Sequence, residues 1–127
     1  MRILDSKKAW FAGVVGIIAI AVFLPVFAFG SAKTIFVDED ASGKQDGSKS
    51  NPYKTISEAL DHAKSGSEVY IASGHYKESI TIPKGVEVFG NNKDRGKVVI
   101  DGGTSKPTVT MKHDSELNYV TVEDGRN

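Results

Sequence analysis

Along the second half of the chain, apolar residues come in pairs separated by one intervening residue: Val69/Ile71, Ile80/Ile82, Val86/Val88, Val98/Ile100, Val109/Met111 and Val120/Val122. Most pairs recur about every 11 residues and are followed within a few positions by Gly, Asp or Pro. A strand alternates its side chains, so each pair sets two apolar groups on one face and turns the residue between them outward. No segment this short buries that face alone, whereas stacked turns do. The pattern therefore predicts an all-β solenoid, a parallel β-helix of about three rungs. The pairs group as Val69–Ile71 with Ile80–Ile82, Val86–Val88 with Val98–Ile100, and Val109–Met111 with Val120–Val122. The second and third groups repeat at 23 residues (86 to 109) and 22 (98 to 120), and the first is shorter.

Ahead of this beat, Thr34 to Val37 alternates weakly and reads as a first strand, and Asp38 to Pro52 is a loop by composition. Thr55 and Glu58 then form a T-x-x-E capping box. Ile56, Ala59, Leu60 and Ala63 follow at helical spacing and make one apolar stripe, which Ser65-Gly66 closes. A helix of about ten residues is unstable alone, so it is expected to lie across the open upper end of the coil as a cap. Pro83-Lys84-Gly85 reads as a tight corner, and Asn91 to Gly96 as a polar excursion from the wall.

Residues 9–30 carry no charged side chain, while Arg2, Lys7 and Lys8 precede them against Asp5 alone. This is the signature of a cleaved signal peptide or of a retained membrane anchor, and residues 1–32 are assigned to it. Pro25 and the small residues near Gly30 favour cleavage. In either case the remainder is expected outside the cytoplasm, whether extracellular, periplasmic or tethered to the cytoplasmic membrane facing outward. Three of the sixteen basic and one of the sixteen acidic residues fall in that segment, leaving thirteen against fifteen. No basic field remains to attract nucleic acid. The lack of cysteine excludes disulfides and thiolate metal sites. Residues 33–127 suffice for one small domain.

Asn51-Pro52-Tyr53-Lys54-Thr55-Ile56, the helix through Ala63, and Gly66-Ser67-Glu68-Val69-Tyr70-Ile71-Ala72-Ser73-Gly74-His75-Tyr76 resemble the start of the pectin-lyase-like right-handed parallel β-helix proteins. Gly85 to Gly90, Val99 to Gly102 and Leu117 to Gly125 are similar to the coil repeats that follow. The resemblance implies a right-handed β-helix with an N-terminal cap. On activity it is nearly silent, because such coils serve lyases, hydrolases, epimerases and adhesins alike. Enzymes of that family carry their catalytic Asp, Arg or Lys on central coils that have no counterpart here, so no catalytic residue is assigned. The expectation is a truncated domain, the cap and first coils, or one whose open C-terminal rung stacks on a partner.

Candidate chemistry is sparse. Asp38-x-Asp40-x-Ser42-Gly43 begins like a calcium loop. Lys49 stands where a bidentate Glu should close it, which leaves Asp46 as the third carboxylate of a calcium candidate. Asp101 and Glu123 each fall three residues after the start of an equivalent strand, and so should stack about 4.8 Å apart as a carboxylate pair able to hold a cation. The competing reading makes Asp101-Gly102 and Asp124-Gly125 simple turns. His62, His75 and His113 lack zinc spacing and read as surface residues. Tyr70 should face outward and, with Tyr53, Tyr76, Tyr119 and Phe89, offers aromatic surface for sugars, although Tyr76 and Phe89 read as core.

The expected function is an exported cell-envelope module that binds polysaccharide or serves structurally, without catalysis of its own. The alternatives are the N-terminal part of a polysaccharide lyase or glycoside hydrolase whose active site lies past residue 127, and an oligomerising, adhesin-like spacer.

Overall fold

A computed structural model describes residues 32–91 and 97–125. The apolar run 9–30 and most of the excursion at 91–96 lie outside the described residues. Ala32–Asn127 form one compact unit, distinct from Met1–Ser31. In chain order the elements are β1 (Thr34–Val37), α1 (Ile56–His62), β2 (Glu68–Ile71), β3 (Gly74–Tyr76), β4 (Ile80–Ile82), β5 (Glu87–Gly90), β6 (Val98–Asp101), β7 (Val109–Met111), β8 (Glu116–Asn118) and β9 (Thr121–Glu123). The unit is thus mostly β with one short helix.

Every strand pairing is parallel. The strands form three sheets, ordered β1-β2-β5-β8, β3-β6-β9 and β4-β7. The chain visits them in rotation, so that β2, β3 and β4 enter the three sheets in turn and β5, β6 and β7 repeat the circuit. Such an order is compatible with a β-helix-like all-β fold.

The rungs expected from sequence need correcting. A circuit has three walls, not two, because Gly74–Tyr76 and Glu116–Asn118 are strands that the apolar pairs did not mark. Both are short, and each carries only one strongly apolar residue, Tyr76 or Leu117. Val109–Met111 consequently belongs to the second circuit and pairs with Ile80–Ile82, while Val69–Ile71 pairs with Val88–Gly90. The 22-residue offset holds, since Ile100 faces Val122. The 23-residue one does not, since Val88 faces Leu117.

The inward assignments hold in β2, β5 and β6, which have a strand on both sides, and in β4, which has β7 on one side and helix α1 packed against it. Val69, Ile71, Ile80, Ile82, Val86, Val88, Val98 and Ile100 are all buried. Register aligns them in columns, Ile35-Val69-Val88-Leu117 in the first sheet and Tyr76-Ile100-Val122 in the second. Each aliphatic so enclosed contributes about 1.5–3 kcal/mol. At the lower end Met111 and Val122 stay 48% and 46% exposed, because no described strand lies beneath them. The upper edge of β1 is covered instead. Tyr53 bridges Val37, and the Phe36 N–H donates to the Gly47 carbonyl at 2.9 Å, so the loop satisfies backbone groups that would otherwise template another chain.

Helix α1 packs its buried Ile56, Ala59 and Leu60 toward β1, β2 and β4. Thr55 Oγ1 accepts the Glu58 N–H at 3.2 Å. The N–H groups of the two residues after Thr55, Ile56 and Ser57, are satisfied from outside the helix by Glu78. Its carboxylate accepts the Ile56 N–H at 2.8 Å, the Ser57 N–H at 2.9 Å and the Ser57 hydroxyl at 2.5 Å. This carboxylate ties the cap to the segment between β3 and β4, and it also complements the positive end of the helix. Glu78→Ala should therefore lower unfolding free energy by about 1–3 kcal/mol in chemical denaturation, with Glu78→Gln intermediate.

Candidate functional site

Parallel register stacks not only the core but the outward residues of each wall. On the outer face of the first sheet, Phe36, Tyr70 and Phe89 are partners in consecutive strands. Their rings stack, with centroids 5.8 Å apart for Phe36–Tyr70 and 5.2 Å for Tyr70–Phe89, at interplanar angles of 25° and 22°. Offset stacks of this kind contribute about 0.5–1.5 kcal/mol per pair beyond burial. Tyr70 faces outward as expected. Phe89, by contrast, is a half-buried member of the ladder and not core, because Val88 takes the inward position. Tyr53 and Tyr76 are buried, and Tyr119 is exposed. The Tyr76 hydroxyl donates to the Ala72 carbonyl at 2.9 Å, and burial pushes its pKa upward.

Beside the aromatic ladder runs a second one. Glu68, Glu87 and Glu116 are register partners in β2, β5 and β8. The Tyr70 hydroxyl donates to Glu68 Oε2 at 3.4 Å. Desolvation first, then the charges of Glu68 and Glu87, raise the Tyr70 pKa.

Where the first-sheet strands end, the wall and the loop leading to Pro52 enclose a cleft of about 610 Å³. Phe36 and Tyr70 form its apolar side, Asp38, Lys49 and Asn91 supply polar groups, and Ala72 lies among them. The two rings offer the cleft an apolar flank. A smaller cleft of about 410 Å³ lies by the helix start, with Glu39, Lys54, His75, Lys77 and Glu78. Its carboxylates are already engaged, Glu78 as above and Glu39 by the His75 N–H at 3.1 Å.

Two of the three calcium candidates, Asp38 and Asp46, have turn duties. Asp38 Oδ1 accepts the Asp40 N–H at 3.0 Å and Asp46 Oδ1 the Ser48 N–H at 3.0 Å. Hydrogen bonds from Ser48 hold the Asp46 carboxyl below its ordinary pKa, and Lys44 Nζ lies 3.4 Å from it. Among the described residues no three His, Cys, Asp or Glu side chains converge as a metal centre. Asp101 and Glu123 are register partners on β6 and β9, on the spacing read from sequence. Asp101 Oδ1 accepts the Gly103 N–H at 2.9 Å, and its other oxygen lies 3.6 Å from His75 Nε2. The two residues are thus neighbours in register, with Asp101 serving a turn and facing a histidine. His62 stacks on Tyr53 and His113 pairs with Asp114 at 2.6 Å.

The two ladders and the part of Phe36 escaped the sequence reading, which paired the Val86 segment with the wrong neighbour. A signal was available: Glu68-Val69-Tyr70 recurs as Glu87-Val88-Phe89, nineteen positions on.

Fold and cleft together define a small, mostly β unit of parallel strands with an aromatic-flanked outer cleft. The chain belongs to the family described as protein of unknown function (DUF1565), whose model matches residues 40–125. It is similar to the uncharacterized protein YwoF of Bacillus subtilis (strain 168), 26% identical over 107 residues, which are 75% of this chain and 23% of that one. The chain thus spans about a quarter of that relative's length. No solved structure matches it.

Three glutamates about 4.8 Å apart on one wall repel. Glu87→Gln, which removes the middle charge, should raise stability by about 0.2–1 kcal/mol at low salt and by less at high salt, as read by thermal unfolding in a salt series.

Proposed function

We propose that this chain is an exported β-helix module that recognises polysaccharide through the cleft beside Tyr70. The observation carrying this reading is the cleft itself. An apolar flank of Phe36 and Tyr70 meets a carboxylate, an ammonium and an amide within about 610 Å³, the mixture that suits a sugar's apolar ring face and hydroxyl rim. In this reading the three parallel sheets are the walls of a right-handed, pectin-lyase-like solenoid. The cap is α1, and residues 1–32 act as signal peptide or anchor, leaving the module at the cell envelope. Among the described residues no helix is long and apolar enough to cross a membrane, and residues 9–30 carry no charged side chain. No catalytic role is given to the cleft; Asp38 lends it a carboxylate, and Asp40, Asp46, Asp101 and Glu123 are given no part in binding.

A second reading, association through the lower end, is favoured by the exposed Met111, Tyr119 and Val122 beside strands that have a partner on one side only among the described residues. Retention of the full-length chain on a panel of immobilised polysaccharides, with and without calcium, tests the leading reading. The wild type should be retained on at least one polymer irrespective of calcium, and Tyr70→Ala should weaken retention about tenfold without changing the circular dichroism. No retention on any polymer would refute recognition.

A further inference from the structure

Building on the recognition reading, we infer that Ala72 is the floor of a subsite for a single neutral, hydroxyl-bearing sugar ring, and that the charge around it excludes polyanionic chains. Register carries the first half. Val37, Ile71 and Gly90 are consecutive partners in β1, β2 and β5, so the residues that follow them, Asp38, Ala72 and Asn91, come one above another where the wall turns. All three line the cleft. Asp38 and Asn91 carry polar side chains, and between them Ala72 has a single methyl group, which makes the depression. The Ala72 N–H donates to the Val37 carbonyl at 2.8 Å, which fixes the floor to the rung above. Asn91 Nδ2 donates to Ser73 Oγ at 3.3 Å, so its amide is oriented before any ligand arrives. Phe36 and Tyr70 of the wall and Lys49 and Pro52 of the loop complete the lining.

Two circuits separate Asp38 from Asn91, about 10 Å at ordinary strand spacing, and that is room for one pyranose ring and not for a stack of them. A carboxylate to accept and an ammonium to donate, on different sides of the same space, match the hydroxyls of a neutral ring.

Charge carries the second half. The cleft is lined by one acid, Asp38, and one base, Lys49. Across the aromatic ladder stand Glu68, Glu87 and Glu116 in file. A chain with a carboxylate on every ring would meet this wall with like charges repeated at every rung, whereas a neutral chain meets none.

The test is retention of the full-length protein on an immobilised neutral glucan and on an immobilised polyuronate, for wild type, Ala72→Gln, Tyr70→Ala and Thr81→Gln. Thr81 is an exposed position on β4, away from the cleft, and serves as control. The expected result is retention of wild type and Thr81→Gln on the glucan, about tenfold weaker retention of Ala72→Gln, and little retention of any form on polyuronate at low salt. Circular dichroism and melting temperature of Ala72→Gln should equal those of wild type, since the added side chain points into the cleft. If Ala72→Gln binds glucan like wild type while Tyr70→Ala does not, the floor assignment is overturned and recognition stands. If polyuronate is held as well as glucan or better, the neutral assignment is overturned. If no polymer of the panel retains the wild type, recognition fails and the subsite with it.

Discussion

Parallel pairing of each strand with the strand one circuit earlier governs the rest of this molecule, because it decides at once what is buried and what is displayed. Three or four residues per strand cannot enclose an apolar face. Superposed strands do so by aligning Ile35, Val69, Val88 and Leu117 in one column and Tyr76, Ile100 and Val122 in another. The gain is largest in the middle circuit and least at the lower end, where Met111 and Val122 remain half exposed. At the upper end the loop through Tyr53 and the helix held by Glu78 take the place of a further circuit.

The same register imposes likeness on the outer surface, with opposite consequences for two kinds of side chain. Aromatic residues in file stack and stabilise one another, as Phe36, Tyr70 and Phe89 do. Glutamates in file repel, and Glu68, Glu87 and Glu116 carry that cost on the solvent side, where water and salt reduce it. Tyr70 joins the two files through its hydroxyl, and the cleft opens where the aromatic file meets the turn at Ala72. Surface chemistry in this molecule is thus a by-product of parallel register: a residue acquires its neighbours from positions nineteen to thirty-four earlier in the chain, as in Val69–Val88 and Phe36–Tyr70.

The apolar pairs were legible because they obey the two-residue period of a strand, and the helix because its cap and stripe are local. Both kinds of signal lie within a few residues of one another. Circuit length is not local. The distance from one strand to its partner depends on how many residues each corner takes, and corners here vary from two residues between β8 and β9 to seven between β6 and β7. That variation let a regular beat near 22 residues be right for Ile100 and Val122 yet wrong for Val88. Two walls were also counted where there are three, since β3 and β8 lack the paired apolar residues used as a guide. Of the candidate residues, Asp101 and Glu123 are register partners because their wall keeps the regular offset. The cleft was hidden because its parts come from β1, the loop at Lys49, β2 and the end of β5, which only the correct circuit length brings together.

Interstrand nuclear Overhauser contacts measure that circuit length most directly. The account predicts backbone contacts of the parallel kind from Val69 to Val88 and from Val88 to Leu117, and from Ile80 to Val109 on the third wall. Contacts of the antiparallel kind between strands adjacent in sequence, such as β2 with β3 or β5 with β6, would contradict it, and with it the aromatic file, the glutamate file and the cleft between them.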